Sequence, residues 1–136
     1  VYTSDKVRAG RPSIYRYSFA TGNAALISTG AYAASPQLSL DSQRLAYLNG
    51  RKASVMMLTT RQVINLAETG LDEPARLSPS GQYAIYPTRQ SNLGGQVGGQ
   101  SSQSGGSLVI HSLEGNTSYA ISSKTGGVVR SPIWGR

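Results

Sequence analysis

The sequence holds no cysteine, which excludes disulfide frameworks, thiolate metal sites and cysteine nucleophiles without fixing the compartment. His111 is the single histidine, so neither a catalytic triad nor an imidazole-rich metal cluster can be built around it. Acidic groups are scarce: six Asp and Glu stand against thirteen Lys and Arg, and the net charge of +7 favours anionic partners or surfaces without saying which. No apolar run approaches the roughly 20 residues that cross a bilayer. The first residues lack the basic-then-apolar order of a signal peptide, so the chain is expected to be soluble, with any export signal outside it. A Gly-x-Ser-x-Gly nucleophile elbow and a Gly-x-x-x-x-Gly-Lys-Ser/Thr phosphate loop are both absent, and the glycines at 94–106 have no lysine after them. Helical periodicity is missing too, since apolar spacing never survives roughly two turns before Gly or Pro interrupts it.

What remains, with 38% hydrophobic and 14% charged residues, is the composition of a folded domain rich in Ser, Gly, Tyr and β-branched residues. The stretch LDEPARLSPSGQYAIYP, Leu71 to Pro87, reads as a hairpin: an extended segment from Pro74, then Ser78-Pro79-Ser80-Gly81 with Pro and Gly at the second and fourth positions of a type I turn, then a strand. SPQLSLDSQRLAYL, Ser35 to Leu48, is a second copy, and Ser131-Pro132-Ile133-Trp134 begins a third. A strand–turn–strand unit follows each hairpin, starting at Ser13, Ser54 and Ser107, with turns expected at Thr21-Gly22-Asn23, Thr60-Arg61-Gln62 and Glu114-Gly115-Asn116, where Gly and Asn tolerate positive φ.

The period is therefore four strands. Pro36 and Pro74 lie 38 residues apart, close to the ~40–45 of a propeller blade. The next interval, to Pro132, is 58, lengthened by a Gly/Ser/Gln insertion over 90–107 with too few apolar residues to offset the entropy of ordering. The expected organisation is an all-β partial propeller of four-stranded antiparallel blades. The last three strands of one blade span 1–29, a full blade 32–68, a second full blade 72–123, and the first strand of a further blade 128–136. That is about three blades' worth, and propellers close with 4–8.

The ordered motifs carry a resemblance. Tyr2-Thr3-Ser4-Asp5 leads through Gly10-Arg11-Pro12 to Ile14-Tyr15, followed by Leu71-Asp72-Glu73-Pro74, Ser78-Pro79-Ser80-Gly81, Ile85-Tyr86 and the terminal Ser131-Pro132-Ile133-Trp134. In this order they resemble the C-terminal half of the TolB family, periplasmic β-propellers of the Tol-Pal system. The resemblance implies a six-bladed propeller preceded by a small α/β domain, with no catalysis and no cofactor. It also implies docking of the peptidoglycan-associated lipoprotein Pal at the channel mouth, association with other Tol proteins, colicin import on the same scaffold, and a part in outer-membrane integrity and constriction at division. The alternative is the non-catalytic propeller of a prolyl-oligopeptidase-like peptidase, whose repeats are similar.

Candidate contact residues follow from the expected faces of the disc. Antiparallel strands send alternate connections to opposite faces, and the longer ones, with most of the cations, fall on one. Partner contact is expected at Tyr32 and Ser35 in a blade-to-blade link, at the rim carboxylates Asp72 and Glu73, at channel-lining Arg76, and at Lys124 and Arg130. The plain reading of each cation is a solvated loop charge, and that of the two carboxylates is a cap on their own turn's N–H groups. Tyr32 apart, the tyrosines and Trp134 fall mostly at strand positions and are expected between blades. Nucleic acid is disfavoured because the cations are not interleaved with aromatics on a strand face. No metal is expected.

Two copies of such a fragment are expected to pair, six blades covering the faces that three leave open. Light scattering should therefore give a mass above the 14.3 kDa of one chain, and a monodisperse monomer would contradict it.

Overall fold

The computed structural model describes residues 1–28, 32–68, 73–88, 107–122 and 131–135. Among them the chain is all β, eleven strands in three antiparallel sheets. The first sheet is β1 (Tyr2–Ser4), β2 (Ser13–Ser18) and β3 (Asn23–Leu26), in that order. The second runs β4 (Ala33–Leu38), β5 (Arg44–Asn49), β6 (Lys52–Met57) and β7 (Val63–Glu68). The third runs β8 (Arg76–Leu77), β9 (Tyr83–Thr88), β10 (Ser107–Ser112) and β11 (Ser118–Ser122). Residues 131–135 follow without ladder pairing among the described residues, and the insertion at 90–107, apart from Ser107 in β10, lies outside them.

The turn between first and second strands is built twice with one set of bonds. Ser39 and Ser78 are both buried. Each receives the backbone N–H three residues on, from Ser42 at 2.9 Å and from Gly81 at 2.8 Å. Their hydroxyls accept the N–H of Arg44 (3.0 Å) and of Tyr83 (3.2 Å), closing the first rung of the ladder. In the first copy the Ser39 hydroxyl also donates to Asp41 Oδ1 at 2.6 Å, and this bond, followed by the Gln43 N–H, holds the Asp41 carboxyl below its ordinary range. Ser42 and Gly81 both lie in the left-handed region, at φ 59° and 73°. Glycine adopts this conformation without cost and serine does not.

The second hairpin of each repeat is also the same loop three times. Gly22, Arg61 and Asn116 have positive φ, and their N–H groups bond to the carbonyls of Ser18, Met57 and Ser112, each four residues earlier. These are loops of four or five residues, longer than the tight turns expected at Thr21-Gly22-Asn23, Thr60-Arg61-Gln62 and Glu114-Gly115-Asn116. The left-handed position in the third falls on Asn116, with Gly115 outside it, because the i to i+4 bond sets where the chain must reverse.

Packing is between sheets. Ile14, Ile27, Ala33, Leu45, Tyr47 and Met56 fill the space between the first and second. Ala46, Ala53, Val55, Ala75, Leu77, Ala84, Tyr86 and Val109 fill that between the second and third. Along β5, Leu45 and Tyr47 face one neighbour and Ala46 the other, so β5 has no polar face to show and reads as a continuous apolar run. The four alanines of the second cluster let the sheets approach, and Tyr86, Val55 and Leu77 fill what they leave. Each large apolar side chain buried here contributes about 1.5–3 kcal/mol. Of the tyrosines, only Tyr47 and Tyr86 are core residues, at matching places in β5 and β9, where burial pushes both phenols up. Tyr2, Tyr17, Tyr83 and Tyr119 are exposed, because they stand on sheet faces that no third neighbour covers among the described residues, or at strand ends.

Gly81 faces the side chain of Arg44 in the neighbouring sheet: a Cβ there would lie 3.1 Å from Nη1 and 3.4 Å from Ser39 Cβ. Gly81→Ala should therefore cost about 1–2 kcal/mol, and Ser42→Gly should be neutral or gain up to about 1 kcal/mol. Urea unfolding followed by circular dichroism measures both, and a destabilising Ser42→Gly would contradict this account of the turn.

Candidate functional site

The two ends of the sheets differ in what they carry. At one end lie the β1–β2 loop, the start of β4 and the β5–β6 turn. They are tied together by Ala33 N–H to Pro12 O at 2.8 Å and Gly50 N–H to Tyr32 O at 2.9 Å. At the other end lie the Ser39–Ser42 and Ser78–Gly81 turns and the second-hairpin loops, bonded by Leu58 N–H to Gln43 O (2.8 Å) and Leu113 N–H to Gln82 O (2.9 Å). The first end presents Lys6, Arg8, Arg11, Arg51 and Lys52, all exposed, with Asp5, whose carboxylate accepts the Gly10 N–H at 3.3 Å. Tyr32, 42% exposed, lines a groove of about 400 Å³ there with Leu48, Gly50 and Arg51. Ser35 is exposed three residues on, at the bulge that interrupts the β4–β5 register between Ala34 and Gln37. The bulge is where Pro36, with no N–H, and Ser35, at φ 53°, cannot keep the ladder.

Glu73 and Arg76 form a second cluster, lining a cavity of about 180 Å³ with Pro74, Ser131, Pro132 and Ile133. Glu73 reaches across to residues 131–135. Its carboxylate accepts the backbone N–H of Ser131 at 2.8 Å and the Ser131 hydroxyl at 3.4 Å. Ser131, at φ 55° before a proline, repeats the conformation of Ser35. Three residues on, the Trp134 indole N–H donates to Arg76 O at 2.9 Å, and its ring sits 6.5 Å from that of Tyr83. The exposed Arg76 side chain and the half-buried Trp134 line a larger groove of about 370 Å³ with Gln37, Leu38, Leu77 and Ile133. In this groove the Gln37 amide oxygen accepts the Leu77 N–H at 2.9 Å, joining β4 to β8.

The structure thus brings Glu73 and Arg76 together and leaves Tyr32 in another groove. Asp72, Lys124 and Arg130 lie outside the described residues. Sequence reasoning missed the cross-links, yet their signal was present: the 58-residue interval from Pro74 to Pro132 is the separation of Glu73 from Ser131 and of Arg76 from Trp134. His111, buried in β10, is bonded through Nδ1 to Ser118 Oγ at 2.7 Å, and burial holds its imidazole below the ordinary range. Among the described residues no three His, Asp or Glu side chains gather as metal ligands, and no helix is long and apolar enough to cross a membrane.

Sheets of three and four antiparallel strands, each stacked face to face with the next, make this chain part of a β-propeller with a loop-bearing end. Among solved structures it is similar to TolB from Acinetobacter baumannii, at 32% identity over 93% of this chain with a TM-score of 0.68. The chain spans 30% of the length of that TolB, and its fold is TolB-like. No family model matches the chain, nor does any curated protein.

Trp134→Phe keeps the ring beside Tyr83 and removes only the donor to Arg76 O, so it should cost about 1 kcal/mol in urea unfolding. A variant as stable as the parent would show that the bond adds nothing to holding 131–135 on the third sheet.

Proposed function

We propose that this chain is the blade-bearing part of a non-catalytic periplasmic interaction module of the TolB kind. It docks a peptidoglycan-associated lipoprotein at the channel mouth and works with other Tol proteins in outer-membrane integrity and constriction at division. Colicins would use the same surface. The similarity to TolB over nearly the whole chain carries this reading. Its support in the fold is a rigid stack of sheets that holds a cationic, loop-bearing end, the arrangement in which binding residues are presented by loops on a fixed scaffold.

The contact residues we assign are Tyr32, Ser35 and Arg76, with Asp72, Lys124 and Arg130, which lie outside the described residues. Tyr32 is a half-exposed aromatic beside Arg51, a pairing enriched at interface centres. Glu73 belongs to the same set, with its carboxylate also bonded to Ser131. It orders the rim that a partner meets.

Titration calorimetry of the full-length protein with a Pal-type domain tests the reading. Binding is expected at micromolar Kd or tighter, weakened at least tenfold by Tyr32→Ala and by charge reversal at Asp72 or Arg130. Unchanged affinity in all three variants would remove the proposed face, and absence of binding by the parent would remove the partner.

A further inference from the structure

The end of the hairpin loop between β10 and β11 and the first residue of β11 read Glu114-Gly115-Asn116-Thr117-Ser118. We propose that Asn116 is an acceptor for N-linked glycosylation by a transferase of the bacterial type, which uses a polyisoprenyl-diphosphate-linked oligosaccharide as donor. Asn-x-Ser/Thr with a middle residue other than proline is the acceptor sequence, and its physical requirement is a surface loop. Of the asparagines, Asn23, Asn49, Asn65 and Asn92 have no hydroxyl residue two places on; Asn116 has Ser118. The extended form of the sequon adds a carboxylate two residues before the acceptor, which a transferase cation can hold by a charge-assisted bond. Glu114 supplies it.

The structure meets the accessibility requirement residue by residue. All five positions are exposed. Asn116 stands at the left-handed position of the loop, φ 51°, with its backbone N–H bonded to Ser112 O, and its side-chain amide has no hydrogen-bond partner among the described residues. Glu114 is 66% exposed, and its contact with Arg44 at 3.7 Å is a surface pair that contributes little and opens readily. Ser118 Oγ is held by His111 at 2.7 Å on the strand side of the loop. The corresponding loops of the other two repeats, at Gly22 and Arg61, have the same backbone and lack the motif, so the loop geometry alone does not call for these side chains.

The reaction balances within the two named reactants. Asn116 Nδ2 forms a bond to the anomeric carbon of the first sugar. The bond from that carbon to the diphosphate oxygen breaks, the carrier diphosphate leaves with the electron pair, and one amide proton passes to the transferase's base. A glycan placed here would project from the short-turn end of the outer strands. The loop-bearing end at Tyr32 would remain open.

In the cell the step requires export, as the proposed function has it, so the test is made in two arms. Purified full chain is incubated with a purified oligosaccharyltransferase of this class and its lipid-linked donor, and intact mass and peptide mapping are read. The expected result is a gain of one glycan on Asn116, abolished by Asn116→Gln and by Ser118→Ala, retained by Ser118→Thr, and slowed at least tenfold by Glu114→Gln. An unmodified chain in a reaction that converts an acceptor peptide overturns the proposal, as does equal modification of Asn116→Gln. Fractionation of cells making the native protein is the second arm. A cytoplasmic location there removes the periplasmic reading while leaving the chemistry of the acceptor as the first arm found it.

Discussion

A β-sheet with two apolar faces cannot stand alone in water, and this constraint governs the chain. The second sheet is buried on both sides, Leu45 and Tyr47 against one neighbour and Ala46, Ala53 and Val55 against the other. The first and third sheets keep one such contact each among the described residues, and their outer faces carry Tyr2, Tyr15, Tyr17 and Leu26 on one and Tyr119 and Ile121 on the other. Stability in such an array is a sum of sheet and nearest-neighbour terms. The hydrogen bond between sheets from Leu77 to Gln37, and those that tie residues 131–135 to Glu73 and Arg76, fix register more than they add energy.

The repeat was legible because its turn chemistry is local. A turn and a returning strand can be read from Ser78-Pro79-Ser80-Gly81 and from Asp41-Ser42, since hydroxyl, carboxylate, proline and glycine act on their own backbone, whereas the burial of Ser39 and Ser78 and the left-handed Ser42 came with the structure. The second-hairpin loops were legible as places and not as types, because an i to i+4 loop and a two-residue turn draw on the same Gly and Asn. Tyrosine positions misled for a different reason. Strand propensity puts tyrosine in a strand, but which face it occupies and whether a neighbour covers that face is tertiary information. Tyr47 and Tyr86 gained a neighbour and Tyr119 did not.

The candidate site shows the same division. That loops would gather at one end followed from strand alternation, and Tyr32 does lie beside the β5–β6 turn. Glu73 was weighed between a partner contact and a local cap, and the structure adds a bond to Ser131 that neither reading named. A carboxylate that reaches a residue of the next repeat is invisible in sequence until the repeats are placed side by side, and then the matching intervals give it away. The similarity to TolB adds the kind of module to which such a stack belongs.

The β9–β10 ladder pairs Thr88 directly with Ser107. Both ends of the Gly/Ser/Gln tract are therefore pinned to one point by a ladder that continues to Tyr83 and Ser112. Chain length between two fixed ends is thermodynamically inexpensive, each doubling of a flexible loop costing only about 0.6 kcal/mol. The propeller period can thus be stretched at this one position, during the divergence of the protein or by deliberate insertion of a reporter domain, while the strands on either side keep their register.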